Sequence, residues 1–261
     1  MNDIRPKQTV CLCIDLKRST STGLALSTTK FDQFNLALVR QLGPHLTTVG
    51  LEDALVKFTG DGWLIMSDET DMVDRFCCLA LIMGHRFRDE IAESAKIDLD
   101  KVPPLRIAIG HGRDLPITLP DGSRDYVGDS VRRAVRACQF CHDNEILIDG
   151  TTYDWVHHDF EASHVDVPAR QEEHPSAKME EIRTLFRLTA LKVESAEESD
   201  APGHLVSTLN ILGQGEQATA LAGQLSTTLK REATDPHADR TDLLERYNQL
   251  LATNLDYGAA T

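Results

Sequence analysis

Two aspartates at the ends of strand-like runs are the residues best placed for chemistry. Asp15 closes the apolar run Val10-Cys11-Leu12-Cys13-Ile14. Asp61 lies in Leu55-Val56-Lys57-Phe58-Thr59-Gly60-Asp61-Gly62, after which Trp63-Leu64-Ile65-Met66 resumes the apolar pattern. A carboxylate at the exit of a buried strand faces a cleft, and two of them can hold Mg²⁺ or Mn²⁺ on the phosphates of a nucleoside triphosphate. Taken singly, Asp15 reads as a helix cap and Asp61 as a turn residue. Arg132 and Arg136 are four apart and share one helical face, where they can meet phosphate. Cys138 and Cys141 have the spacing of a metal pair, with His142 beside them, but no second ligand pair accompanies them. They are expected on a buried helix face.

The elements that must position these residues follow from period and punctuation. Thr9–Asp15 reads as a buried strand. Residues 31–49 carry apolar side chains at helical spacing (Phe31, Phe34, Leu38, Leu42, Leu46). Residues 54–58 and 63–67 form a hairpin around Gly60-Asp61-Gly62. A long helix over 72–95 is followed by Pro103-Pro104 and a strand at 105–110. A hairpin extension follows, with a Pro120-Asp121-Gly122 turn. Then come a helix over 127–141 and strands at 145–149 and 185–191. The order is β-α-β-β-α-β with additions, which predicts an α+β, ferredoxin-like antiparallel sheet with helices on one face. Residues 164–178 are polar and read as a surface loop.

The chain has 261 residues and 41% hydrophobic content, enough for one large domain or for one domain with an appendage. The formal charge of −14 argues against nucleic acid and anionic membrane as partners. No apolar run approaches a membrane span, and no apolar signal core opens the chain, so a cytoplasmic protein is expected. The 6 cysteines fit that compartment as reduced thiols. Residues 193–203 are acidic and punctuated by Pro and Gly, which marks a linker between a domain at 1–192 and a C-terminal helical segment at 204–261.

Three segments together resemble the catalytic domain of class III nucleotide cyclases, over roughly residues 8–192. They are Ile14-Asp15-Leu16-Lys17-Arg18-Ser19-Thr20, Lys57-Phe58-Thr59-Gly60-Asp61-Gly62, and Leu105–Gly112 with Arg124–Val131 and the helix through Arg136. The resemblance implies a metal-dependent lyase that makes a 3′,5′-cyclic nucleotide and pyrophosphate. Asp15, Asp61 and the Leu16 carbonyl would hold two Mn²⁺ or Mg²⁺ ions. Main-chain N–H groups around Arg18, Ser19 and Thr20 would hold the β- and γ-phosphates, and Lys178 would reach the triphosphate. Lys57 and Asp125 would read the base, and Arg136 would steady the transition state. The family builds its sites between two head-to-tail chains. A homodimer would therefore take Asp15 and Asp61 from one chain and Lys57, Asp125, Arg132 and Arg136 from the other.

The sequence departs from the family at Arg132, where an Asn usually orients the ribose, and at Arg18-Ser19, where Gly-Phe is common. Either the ribose is held differently, or the substrate differs, or the site is inactive. A donor at Lys57 and an acceptor at Asp125 can read adenine, uracil or cytosine. Guanylate enzymes of the family carry acceptors at the Lys position, which disfavours GTP. The compact architecture and the altered helix resemble bacterial pyrimidine cyclases of anti-phage defence. That likeness favours UTP and cyclic UMP acting on a separate effector. ATP to cyclic AMP is the enzymatic alternative, and an inactive nucleotide-binding or dimerisation module is the other.

Overall fold

A computed structural model describes residues 5–17, 22, 25–68, 72–156, 160–173 and 182–191. The expected linker at 193–203, the C-terminal segment at 204–261, and Arg18, Ser19, Thr20, Lys178, His157 and His158 lie outside the described residues.

Strand β1 (Lys7–Leu16) is followed by helix α1 (Thr28–Val49), the hairpin β2 (Leu55–Phe58) and β3 (Gly62–Ser67), helix α2 (Val73–Ala95) and the long strand β4 (Leu105–Thr118). These strands lie side by side in the order β2-β3-β1-β4, all antiparallel. That is the ferredoxin-like core that the sequence predicts. Val10, Leu12, Ile14 and Leu16 point to one face of β1, where they pack with α1 and α2. Cys11 and Cys13 point to the other, so both faces of β1 are buried and its apolar run is continuous. Trp63, 2% exposed, lies between Phe58 (5.6 Å) and Phe87 of α2 (5.5 Å) and anchors the β2–β3 hairpin to the helix layer. Burying such a side chain contributes about 1.5–3 kcal/mol.

The additions complete the sheet. Strand β5 (Arg124–Gly128) folds back on the far half of β4, through a turn in which Gly122 has φ 86°. Helix α3 (Asp129–Gln139) then crosses the face of the sheet opposite α1 and α2. It delivers β6 (Glu145–Asp149) to β4. This pairing is parallel, because a helical crossover returns the chain in the same direction, and it departs from the antiparallel expectation. Short helix α4 (Gly150–Tyr153), β7 (Phe160–Val165), α5 (Val167–Glu173) and β8 (Leu185–Leu191) follow.

Two local readings are corrected. The stretch 164–178 is not simply a surface loop, since it begins inside β7 and contains α5. Val165 and Val167 are buried, and Arg170 of α5 is paired with Glu145 of β6 at 2.7 Å. Residues 127–128 belong to β5 rather than to the helix, because Val127 and Gly128 pair with Leu115 and Asp114. The Cys138/Cys141 pair is buried as expected. Its thiols donate to the Arg106 and Ile107 carbonyls, and the His142 ring is directed to Glu173.

Candidate active site

The two aspartates meet through strand register. Asp15 stands opposite Gly62 of β3, and the Leu16 N–H donates to the Asp61 carbonyl at 3.0 Å. This bond ties the β2–β3 turn to the exit of β1 and puts both carboxylates at one end of the sheet. Gly60 has φ 99°, a left-handed conformation that glycine adopts without strain. A Cβ at residue 62 would lie 2.0 Å from the Ile14 carbonyl oxygen, so the close approach of the strands requires glycine there. Leu16 and Asp61 line a cavity of about 350 Å³ with Phe31, Phe34, Asn35 and Thr59.

Arg106 of β4 is Asp15's other cross-strand partner, and it donates from Nε to the Asp15 carboxylate at 2.8 Å. The sequence reading did not single it out. The signal is the pairing register of β1 with β4, which no local pattern contains. Burial opposes the charge on Arg106, but the Asp15 hydrogen bond and the charge interactions with Asp15, Cys138 and Cys141 together outweigh it, so its pKa is raised.

The donors on this rim are two carboxylates and a main-chain carbonyl. All are hard oxygens, as Mg²⁺ and Mn²⁺ require. Among the described residues no cluster of three or more His, Cys, Asp or Glu side chains could enclose a metal.

A second group forms around β5. Lys57 of β2 donates to the Asp125 carboxylate at 2.5 Å, although 68 positions separate them. Asp125 is buried, and its second oxygen accepts from the Tyr126 N–H at 2.8 Å. A donor and an acceptor therefore stand side by side.

Next to this pair, α3 presents Arg132 and Arg136. Both line a cavity of about 610 Å³ with Tyr126, Val127, Val131 and Gln139. Arg132 is ion-paired with Asp129 one turn earlier, and it also borders a cavity of about 560 Å³ on the other flank of α3. Neither cavity shares a lining residue with the one at Asp61. The structure thus places Asp15 beside the main chain at Asp61–Gly62, Lys57 on Asp125, and Arg132 and Arg136 along one cavity. Asp61 and the arginine pair open into different cavities of one chain.

No protein-family profile matches the sequence, and no curated protein matches it. Solved structures do. The catalytic core of a rhodopsin-guanylyl cyclase with converted specificity, in complex with ATPalphaS, is 20% identical, with TM-score 0.58 over 73% of this chain and 100% of that one. The guanylate cyclase domain of RhGC from Catenaria anguillulae, in complex with GTP, is 19% identical, with TM-score 0.58 over 71% and 98%. The adenylyl cyclase CyaB from P. aeruginosa is 15% identical, with TM-score 0.54 over 74% and 100%. The element order, the 4-1-3-2 arrangement of the core strands and these likenesses agree: the chain has the fold of nucleotide cyclase catalytic domains.

Proposed function

We propose that this chain is a metal-dependent nucleotide cyclase that acts as a head-to-tail homodimer. One observation supports the reading: Asp61 and the arginine pair open into different cavities of one chain. Two copies placed head to tail would join the Asp15/Asp61 rim of one to the Lys57, Asp125, Arg132 and Arg136 set of the other, twice. The domain at 1–192 is the catalytic unit in this reading, with 193–203 as linker and 204–261 as appendage.

The reaction forms a bond between O3′ and the α-phosphorus and breaks the bond from that phosphorus to the bridging oxygen, with pyrophosphate leaving. Bound Mg²⁺ or Mn²⁺ would supply charge neutralisation on the triphosphate and acidify the 3′-hydroxyl. Asp15 and Asp61 would hold the cations, with the Leu16 carbonyl as third donor. Lys57 and Asp125 release one another to accept the base, which fixes the nucleoside for in-line attack. Arg136 and Arg132 place positive charge where the phosphorane develops. Arg132 supplies a planar, charged fork where an Asn would offer a neutral amide.

UTP is the favoured substrate, and cyclic UMP, made in the cytoplasm for a separate effector in anti-phage defence, is the favoured product. The support is the resemblance to compact pyrimidine cyclases together with Arg132. ATP is the second reading, because a donor beside an acceptor also suits N1 and the 6-amino group of adenine. Purified protein incubated with each of the four nucleoside triphosphates and Mn²⁺, with products identified by mass, tests both. A cyclic UMP product supports the first reading and cyclic AMP the second. No cyclic product from any of the four rejects the enzyme and leaves a nucleotide-binding or dimerisation module.

A further inference from the structure

Helix α3 carries both arginines, yet its own N-cap offers nothing to hold it. The N-cap residue is Gly128, and the cap makes no side-chain hydrogen bond of its own. At two glycines of β4 the helix also lies close against the strand. A Cβ at Gly110 would come within 2.5 Å of the Ala134 nitrogen and the Ser130 carbonyl oxygen. At Gly112 it would lie 2.7 Å from the Asp129 Cβ. Backbone therefore rests on backbone, and the height of α3 above the sheet has little slack.

The polar groups at the first turn are met from the strand below. Asp114 of β4 is the register partner of Gly128 and is 0% exposed. One of its oxygens accepts from the Ser130 N–H at 3.0 Å, and the other accepts from the Ser130 hydroxyl. A Cβ at residue 128 would lie 2.4 Å from that first oxygen, so glycine there makes room for the carboxylate. Burial pushes the Asp114 carboxyl up, against the Ser130 hydrogen bonds that favour its charge. A carboxylate under a helix N-terminus satisfies orphan N–H groups and opposes the positive end of the dipole.

We propose that Asp114 is a positioning residue for cyclisation: it caps α3 from the neighbouring strand and so sets where Arg132 and Arg136 stand. Gly110, Gly112 and Asp114 form one mounting strip along β4. The clamp closes on Ser130, two residues before Arg132, and Arg136 follows one turn later. A shift of about 1 Å in catalytic groups can cost about a hundredfold in rate. Loss of the clamp should therefore appear in kcat rather than in substrate binding. The role rests on the cyclase reading above.

The test compares Asp114→Ala, Asp114→Asn and wild type, in the parent and in an Arg136→Ala background. Turnover and KM are measured with the best triphosphate and Mn²⁺, with circular dichroism and dimer mass as folding controls. Amide hydrogen exchange across α3 is read without substrate. Asp114→Ala should lower kcat about 30- to 100-fold with KM changed less than about threefold. Asp114→Asn, which keeps an acceptor for the Ser130 N–H, should recover most of that loss. In the Arg136→Ala background the Asp114→Ala loss should shrink to less than about threefold, because the residue being placed is gone. Exchange at the first turn of α3 should rise about tenfold or more in Asp114→Ala while β1 and β3 are unchanged. Unchanged kcat in a folded Asp114→Ala dimer, or an equal loss in both backgrounds, overturns the proposal. So does unchanged exchange in α3. Wild type that makes no cyclic nucleotide defeats the cyclase reading and the positioning role together. Active wild type with unaffected Asp114→Ala defeats the positioning role alone.

Discussion

The carboxylate rim and the arginine helix are built on opposite principles. Asp15 and Asp61 sit on a frame of strand register: the Leu16–Asp61 main-chain bond, the Asp15–Gly62 pairing and a glycine with no space for a side chain. Their place is a property of the backbone, so substituting either carboxylate should remove chemistry and leave architecture. Arg132 and Arg136 ride on a helix that meets the sheet at two glycines, one buried carboxylate and the Ala134 and Cys138 side chains. Their place is a property of packing, and it can be lost by changes at residues that never meet substrate.

The largest expected effect probes the rigid half. Asp15→Ala or Asp61→Ala should lower turnover by about 10³-fold or more, since a lost metal ligand forfeits several kcal/mol at the transition state. Dimer mass should stay close to wild type, and Tm should stay close in Asp61→Ala but fall somewhat in Asp15→Ala, which leaves Arg106 without that carboxylate. Near-normal turnover at matched folding would remove the metal role from that residue.

Joining the halves is the next test. Asp15→Ala and Arg136→Ala homodimers should each keep no more than about one per cent of wild-type turnover, low but measurable in Arg136→Ala. Mixing them with subunit exchange should restore one intact site per heterodimer, recovering roughly a quarter of wild-type activity at equal, random exchange. The absence of recovery despite exchange verified by mass would place the whole site within one chain.

A smaller effect belongs to Arg132. Arg132→Ala should lower kcat by roughly one to three orders of magnitude with a lesser change in KM, and Arg132→Lys should recover part, because charge remains without the fork. An unaltered kcat makes Arg132 a bystander. Cyclic AMP gained by Arg132→Asn would instead mark a lapsed adenylate cyclase.

The smallest effect concerns stability under the arginine helix. His111 of β4 is buried against Trp155 at 5.0 Å, beside Gly110 and Gly112. Burial lowers its pKa below the ordinary 6.5, with Arg133 acting in the same direction and Asp149 and Asp114 opposing. The unfolded chain takes up a proton near 6.5 while the folded ring resists it. Stability should therefore hold above that pH and decline as pH falls below it. Tm should drop by a few degrees between pH 7.5 and 5.5, and the drop should be smaller in His111→Gln. An equal drop in both proteins would assign the effect to other groups.

The rigid half was legible because its signals are local. The run ending at Asp15, the Gly60-Asp61-Gly62 turn and the short apolar run of β3 each sit within ten residues, and the first half of the β-α-β-β-α-β order follows from them. The helix at 167–173 had a local signal too, in Asp166, whose side chain accepts from the Ala169 N–H at 3.2 Å as an N-cap does. The polarity of the segment masked it, because its apolar contacts are few and its Arg170 is satisfied by a distant Glu145.

Residue types and short spacing therefore determined which groups could do chemistry, the ferredoxin-like order, the two hairpins and the donor–acceptor character of Lys57 and Asp125. Tertiary structure alone decided that Arg106 meets Asp15, that Lys57 reaches Asp125 across 68 positions, and that β6 joins β4 in parallel. It also decided that Asp114 caps a helix it precedes by fifteen residues. The physical reason is common to all four. Each depends on strand register or on a helix laid across a sheet, and these are fixed by contacts between segments far apart in the chain, whereas periodicity and turn chemistry are fixed within a few neighbouring residues.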